Sequence, residues 1–217
     1  MRRGVLRSPE PISLLTLVYL VAITAEAMSG ALAAGRRRMD FFGVAVIAFV
    51  TALGGGTIRD LVLGRFPIGW TQHPEHVGLV IAAGLLTILL APHLHRVKRT
   101  FLVLDAMGLV AFSLIGSNVA LQMDYATPVV IMAGMITGIC GGVLRDVLCN
   151  QVPIVFRHEL YAIVSLAVCV LFLALRELGV PTELNTAISF AGGLALRLLA
   201  IWRGWRLPTF SYRQGWD

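Results

Sequence analysis

Two short stretches of this sequence set charged side chains inside long apolar runs. Gly54-Gly55-Gly56-Thr57-Ile58-Arg59-Asp60 and Cys140-Gly141-Gly142-Val143-Leu144-Arg145-Asp146 stand 86 residues apart and correspond position by position. An arginine or aspartate at the centre of a membrane helix costs about 2.5–3.5 kcal/mol on insertion scales, so such residues face a bundle interior or a polar cavity. The glycines add a second property. A run without side chains can kink or unwind and bare its carbonyl oxygens, which lipid tolerates only where the backbone is buried in protein or lines a cavity. Carbonyls freed in this way are cation ligands. The predicted chemistry is the coordination and passage of a small cation. The pathway candidates are Gly54, Gly55, Gly56, Thr57, Arg59 and Asp60 in one copy and Cys140, Gly141, Gly142, Val143, Arg145 and Asp146 in the other. Close packing of helices is the competing use of the same glycines.

Adjacent residues leave a helix roughly 100° apart, so Arg59 and Asp60 are not expected to pair with each other. Pairing across repeats, Arg59 with Asp146 and Arg145 with Asp60, is one option. The other places the aspartates as separate charges near two mouths, since both motifs lie toward the ends of their helices. Glu26 and Asp105 are secondary candidates, each without an acidic mate in the other copy: Phe112 corresponds to Glu26 and Tyr19 to Asp105. An acid in a first helical turn also suits the helix dipole, which is a plain alternative for Asp105. Arg197 is expected to snorkel toward an interface marked by Trp202 and Trp205.

No catalytic constellation accompanies these groups. The sequence lacks GxSxG and HExxH motifs, and GGGTIRD lacks the Lys-Ser/Thr of a phosphate-binding loop. An enzyme and a resident cofactor are therefore not expected. His73, His76, His93, His95 and His158 fall in or near loops, read as solvated rather than metal-binding. Cys140, Cys149 and Cys169 sit in apolar segments, and an odd number there makes no disulfide framework.

The elements that must position these groups follow from composition. Hydrophobic residues make up 57% of the 217 and charged ones 14%, against roughly 25% charged in a soluble domain. A mean hydropathy of +0.81 places the chain in the bilayer. The net charge of +6 comes from arginines at the ends of apolar runs, with no basic patch interleaved with aromatics, so nucleic acid is not expected as a partner. With about 20 apolar residues needed per crossing, the candidate spans are 12–35, 41–64, 75–95, 101–122, 127–149, 158–178 and 184–203. The first resembles a signal peptide but is too long, and Arg36, Arg37 and Arg38 follow it directly. Arg36, Arg37, Arg38, Arg96, Lys98, Arg99, Arg157, Arg203, Arg206 and Arg213 lie on one side. They outnumber Arg2, Arg3, Arg7, Arg65 and Arg176 on the other. The positive-inside rule then puts the N-terminus outside and the C-terminus in the cytoplasm.

The same 86-residue shift brings Ala25 onto Ala111, Gly30 onto Gly116, Thr51 onto Thr137 and Pro67-Ile68 onto Pro153-Ile154. Each repeat holds three spans, an odd number, so the second enters the membrane the opposite way round. The predicted fold is an all-α membrane protein of seven transmembrane helices in a single domain, 1–217. It comprises a first repeat over 12–95, an inverted second repeat over 98–181 and a seventh helix over 184–206.

Ala31-Leu32-Ala33-Ala34 and the two motifs resemble the prokaryotic trimeric intracellular cation channel (TRIC) family, also labelled a glycine-transporter domain. The likeness runs from about Ile12 to Trp205 and departs at Cys140, where a third glycine could stand. The resemblance implies a homotrimer with one pore inside each seven-helix subunit, conducting potassium or another monovalent cation. It implies that the second and fifth spans, kinked at Gly54, Gly55, Gly56, Gly141 and Gly142, line that pore. A bacterial inner membrane fits the short loops. A secondary transporter of a small zwitterion such as glycine is the alternative, since inverted repeats and broken helices serve both.

Overall fold

A computed structural model describes residues 13–94, 96–157 and 160–205. Among them every regular element is a helix: α1 (Leu14–Arg36), α2 (Phe41–Leu63), α3 (Gly69–Gln72), α4 (Pro74–Leu90), α5 (Val97–Gln122), α6 (Thr127–Leu148), α7 (Tyr161–Glu177) and α8 (Thr182–Arg203). Two 3-10 turns, Ala91–His93 and Ile154–Phe156, follow α4 and α6. Six of the long helices are long and apolar enough to cross a membrane. The seventh, α7, has 17 residues, and the expected start of its span at 158 and 159 lies outside the described residues. So do His95, His158 and the terminal arginines before residue 13 and after residue 205.

Local chemistry sets the helix ends. The Asp40 carboxylate accepts the Gly43 N–H at 2.7 Å and opens α2, filling one of the orphan donors of a helix start. Gly64, at φ +66°, closes α2 in the left-handed conformation that a residue without Cβ adopts at no steric cost. Pro74 and Pro128 occupy first turns of α4 and α6, where the missing N–H is not needed. The α5 helix begins four residues earlier than the expected 101. The connection expected between the spans 41–64 and 75–95 contains the short α3, an element too brief for hydropathy to signal.

The two repeats reproduce each other's packing. A methyl group on Gly30 of α1 would meet Thr51 Oγ1 at 2.7 Å and the Ile47 carbonyl at 2.9 Å on α2. On the corresponding Gly116 of α5 it would meet Thr137 Oγ1 and the Ala133 carbonyl on α6. Both glycines let neighbouring backbones approach, as small residues do between membrane helices.

The repeats meet where α2 crosses α6. The position of a Gly55 Cβ falls against the Thr137 carbonyl oxygen, and that of a Gly141 Cβ against the Thr51 carbonyl oxygen. Each glycine hydrogen therefore points at a carbonyl of the other helix, a reciprocal Cα–H···O contact worth about 0.5–1 kcal/mol. This changes the expected role of the glycines. Both helices stay α-helical through 54–56 and 141–142, so the anticipated interruption with freed carbonyls is absent. Glycine costs only about 1 kcal/mol in a helix interior, and the contact across the crossing offsets that cost. For Gly55 and Gly141, packing is the outcome.

Candidate functional site

Beyond that crossing each helix carries its Arg-Asp pair, and in both copies the neighbours bond to each other. Arg59 donates to Asp60 Oδ1 from Nε at 3.0 Å and from Nη2 at 2.7 Å. Arg145 Nε donates to Asp146 Oδ1 at 2.9 Å. The expectation that adjacent residues cannot pair fails because each aspartate sits near a helix end and turns toward the chain that follows. Asp60 Oδ2 accepts the Gly69 N–H at 2.9 Å, and Asp146 Oδ2 accepts the Ile154 N–H at 2.9 Å. A long arginine side chain then reaches the oxygen left over. Each motif is thus a clasp between a helix end and the segment after Pro67 or Pro153.

Cross-repeat pairing does not occur. The contacts of Gly55 with residue 137 and Gly141 with residue 51 fix α2 and α6 as antiparallel, with residue 59 level with residue 133. Asp146 lies about 13 residues further along α6, or about 20 Å at 1.5 Å per residue. Arg59 and Asp146 therefore stand on opposite sides of the crossing, as do Arg145 and Asp60.

The two clasps differ in charge. Around Asp60 gather two cations, Arg59 and Arg65, whose Nη1 lies 3.3 Å from Asp60 Oδ1. Around Arg145 gather three acids. Its Nη1 donates to Asp105 Oδ1 at 2.7 Å and to Ser29 Oγ at 2.7 Å, with Glu26 Oε2 at 3.9 Å. Its guanidinium carbon sits 4.7 Å from the Phe101 ring centroid, a cation–π arrangement. Arg145, Asp105 and Glu26 are almost wholly buried. Asp105 is therefore more than an acid suited to a helix dipole: with Glu26 it surrounds the arginine of the second repeat. Glu26 packs where Gly108 has no side chain. The asymmetry follows from sequence, because Tyr19 and Phe112 occupy the matching positions beside Arg59.

Gly56 and Gly142 face these clasps. A methyl on Gly56 would lie 3.7 Å from Arg59 Nη2, and one on Gly142 would lie 3.4 Å from Arg145 Nη2 and 3.2 Å from the Tyr161 hydroxyl. Gly54 abuts Leu144 of the opposite helix at 2.8 Å by the same measure. The Thr57 hydroxyl accepts the Trp70 indole N–H at 3.1 Å, while Val143, its counterpart, has no hydroxyl to offer. Cys140 is half-buried, with a free thiol.

A cavity adjoins each clasp. One of about 180 Å³ is bounded by Gly56, Thr57, Arg59, Asp60, Arg65, Trp70, Tyr19, His73, His76 and Thr137. Another of about 310 Å³ is bounded by Asp146, Arg36, Lys98, Phe101, Arg157, Arg197 and Trp205. No residue lines both, and the α2–α6 crossing lies between them. Arg197 does not snorkel to the interface: it is buried, with its guanidinium 4.8 Å from the Tyr161 ring centroid. Sequence reasoning missed Tyr161, Ser29 and Trp70. Only the intramembrane position of Ser29, one turn from Glu26, offered a signal.

Comparison with known proteins adds to this geometry. A family model described as glycine transporter matches residues 16–92 and again 102–177, one motif in each match. The UPF0126 inner membrane protein YadS of Escherichia coli is 38% identical over 200 residues, spanning 90% of this chain and 97% of that one. A UPF0126 membrane protein of Vibrio cholerae is 38% identical, spanning 92% and 84%. Among solved structures, the TRIC trimeric intracellular cation channel orthologue from Rhodobacter sphaeroides superposes with a TM-score of 0.84 at 34% identity, over 88% of this chain and 98% of that one. A second TRIC cation channel, solved to explain conductance, gives 0.84 at 33% identity, over 93% and 100%.

Proposed function

We propose a function from one premise: this chain belongs to the TRIC family, whose family model is described as glycine transporter. On that premise it is an integral membrane channel for monovalent cations, with potassium as the permeating ion. It works as a homotrimer of the bacterial inner membrane with one pathway inside each subunit. The N-terminus lies outside and the C-terminus in the cytoplasm, by the distribution of arginines.

The observation that carries this reading is the pair of cavities on opposite sides of the α2–α6 crossing, one lined by Arg59 and Asp60 and the other by Asp146 of the second clasp. Ions enter one vestibule, pass beside the crossing near Thr137, and leave through the other. The clasps serve as fixed charge at the two ends, and the glycines set how closely the helices approach between them. Each aspartate is paired with an arginine, so among the described residues neither vestibule presents a free carboxylate that would hold a cation tightly, which suits conduction through weak sites.

A transporter of a small zwitterion stays as the second reading, because two cavities that share no wall also suit alternating access. Flux into liposomes separates the two. Vesicles loaded with potassium, diluted into a potassium-free medium with a protonophore, should acidify in proportion to the reconstituted protein. Protein-dependent, saturable glycine counterflow with no such acidification would establish the transporter instead.

A further inference from the structure

His73 and His76 bring two imidazoles to the rim of the smaller vestibule, and neither is used by the Arg59–Asp60 clasp. His73 stands at the N-cap position of α4, its side chain making no capping bond, and His76 lies in the first turn, so the three-residue spacing sets them on one side of the helix. Their ring centroids are 5.1 Å apart. Metal–nitrogen bonds of about 2.0–2.1 Å in a tetrahedral shell put two ligating imidazoles about 5 Å apart between centroids. The outer nitrogens are occupied in the manner of metal-binding histidines. His73 Nδ1 lies 2.9 Å from Glu75 Oε1, and His76 Nδ1 lies 3.5 Å from the Tyr19 hydroxyl. Partners at Nδ1 fix the ring and leave Nε2 to bind a metal.

We propose that His73 and His76 form a binding site for a borderline transition-metal ion, zinc or nickel, at the mouth of this vestibule, and that the bound ion blocks the pathway. Among the described residues no three metal-ligating side chains converge, so water completes the shell. That makes the site reversible, as suits an inhibitory ion. Glu75, hydrogen-bonded to His73, supplies negative charge at a helix start that would otherwise repel a dication. Both imidazoles share the cavity with Arg59 and Asp60. A dication there takes up entry space and raises the positive potential that Arg59 and Arg65 already set.

The block rests on the conduction reading, whereas binding does not, so the two are measured separately. Untagged full-length protein in detergent is titrated with zinc chloride by calorimetry, beside His73→Gln, His76→Gln and Glu75→Gln. Wild type should bind one zinc per subunit at the imidazoles, and either histidine change should remove that binding. Glu75→Gln should weaken it about tenfold or more, the usual effect of losing an outer partner of a ligand. In proteoliposomes zinc should inhibit potassium flux in wild type. It should do so far less in either histidine variant, each compared with its own zinc-free flux. Zinc binding that survives both histidine changes would overturn the site. Binding lost in both variants, with a wild-type flux that zinc leaves unchanged, would overturn the block. If the protein carries no flux, calorimetry still decides the site while the conduction reading fails.

Discussion

Arg145→Leu should be the most damaging single substitution in this chain. The leucine suits a membrane helix, but the change strands Asp105, Glu26 and Asp146 in the bundle interior without their cation. Breaking a buried pair from one side costs about 3–5 kcal/mol, and here three acids lose one shared partner. Unfolding of the purified protein in mixed detergent should show a loss of at least that size, or no recoverable folded protein. Arg59→Leu should cost less, because Arg65 remains beside Asp60. Removing Asp105 together with Arg145 should recover part of the loss, giving a coupling of about 0.5–3 kcal/mol for groups in one network. The corresponding cycle between Arg145 and Asp60 should give none. Equal losses for Arg59→Leu and Arg145→Leu would show that the acid-rich cluster does not hold the second repeat together.

Gly55→Ala should rank next, although it adds a single methyl group. That methyl would overlap the Thr137 carbonyl oxygen. A backbone atom in a helix does not move aside unless α2 and α6 separate along their crossing. Overpacking of this kind costs about 1–3 kcal/mol, even after the gain of about 1 kcal/mol from alanine's better helix propensity. Gly141→Ala should behave alike, since its methyl would meet the Thr51 carbonyl. Gly56→Ala is the contrast: only the flexible tip of Arg59 lies near, at 3.7 Å, so stability should hold or rise slightly. Detergent unfolding midpoints for the three variants check this. A tolerated Gly55→Ala would mean the helices do not meet as closely as described.

The sequence made the architecture plain because its strongest signals were long-range ones. Apolar runs marked the long helices to within a few residues. One constant offset tied Gly30 to Gly116 and Thr51 to Thr137, and the structure places these pairs in equivalent contacts. The motif residues were visible for the same reason, since charge in an apolar run has few structural excuses. What stayed hidden was the partner of each charge. Spacing along one helix tells that Arg59 and Asp60 diverge, yet it does not tell that Asp60 turns to cap the loop at Gly69. Nor does it place Asp105 and Glu26, from two other helices, around Arg145. The glycines were ambiguous for a related reason. A bare backbone serves a kink and a close crossing equally well, and only the antiparallel approach of α2 to α6 decides for Gly55 and Gly141. The histidines at 73 and 76 looked like loop residues until α4 began with them and Tyr19 of α1 packed alongside.

The central claim is that this bundle conducts potassium through two vestibules joined beside the α2–α6 crossing. Single-channel recording of the purified protein in a planar bilayer, under a potassium chloride gradient, addresses it directly. Discrete current steps should appear and reverse near the potassium equilibrium potential. A reversal near the chloride potential, or a silent bilayer from protein that shows saturable glycine counterflow in liposomes, would contradict it.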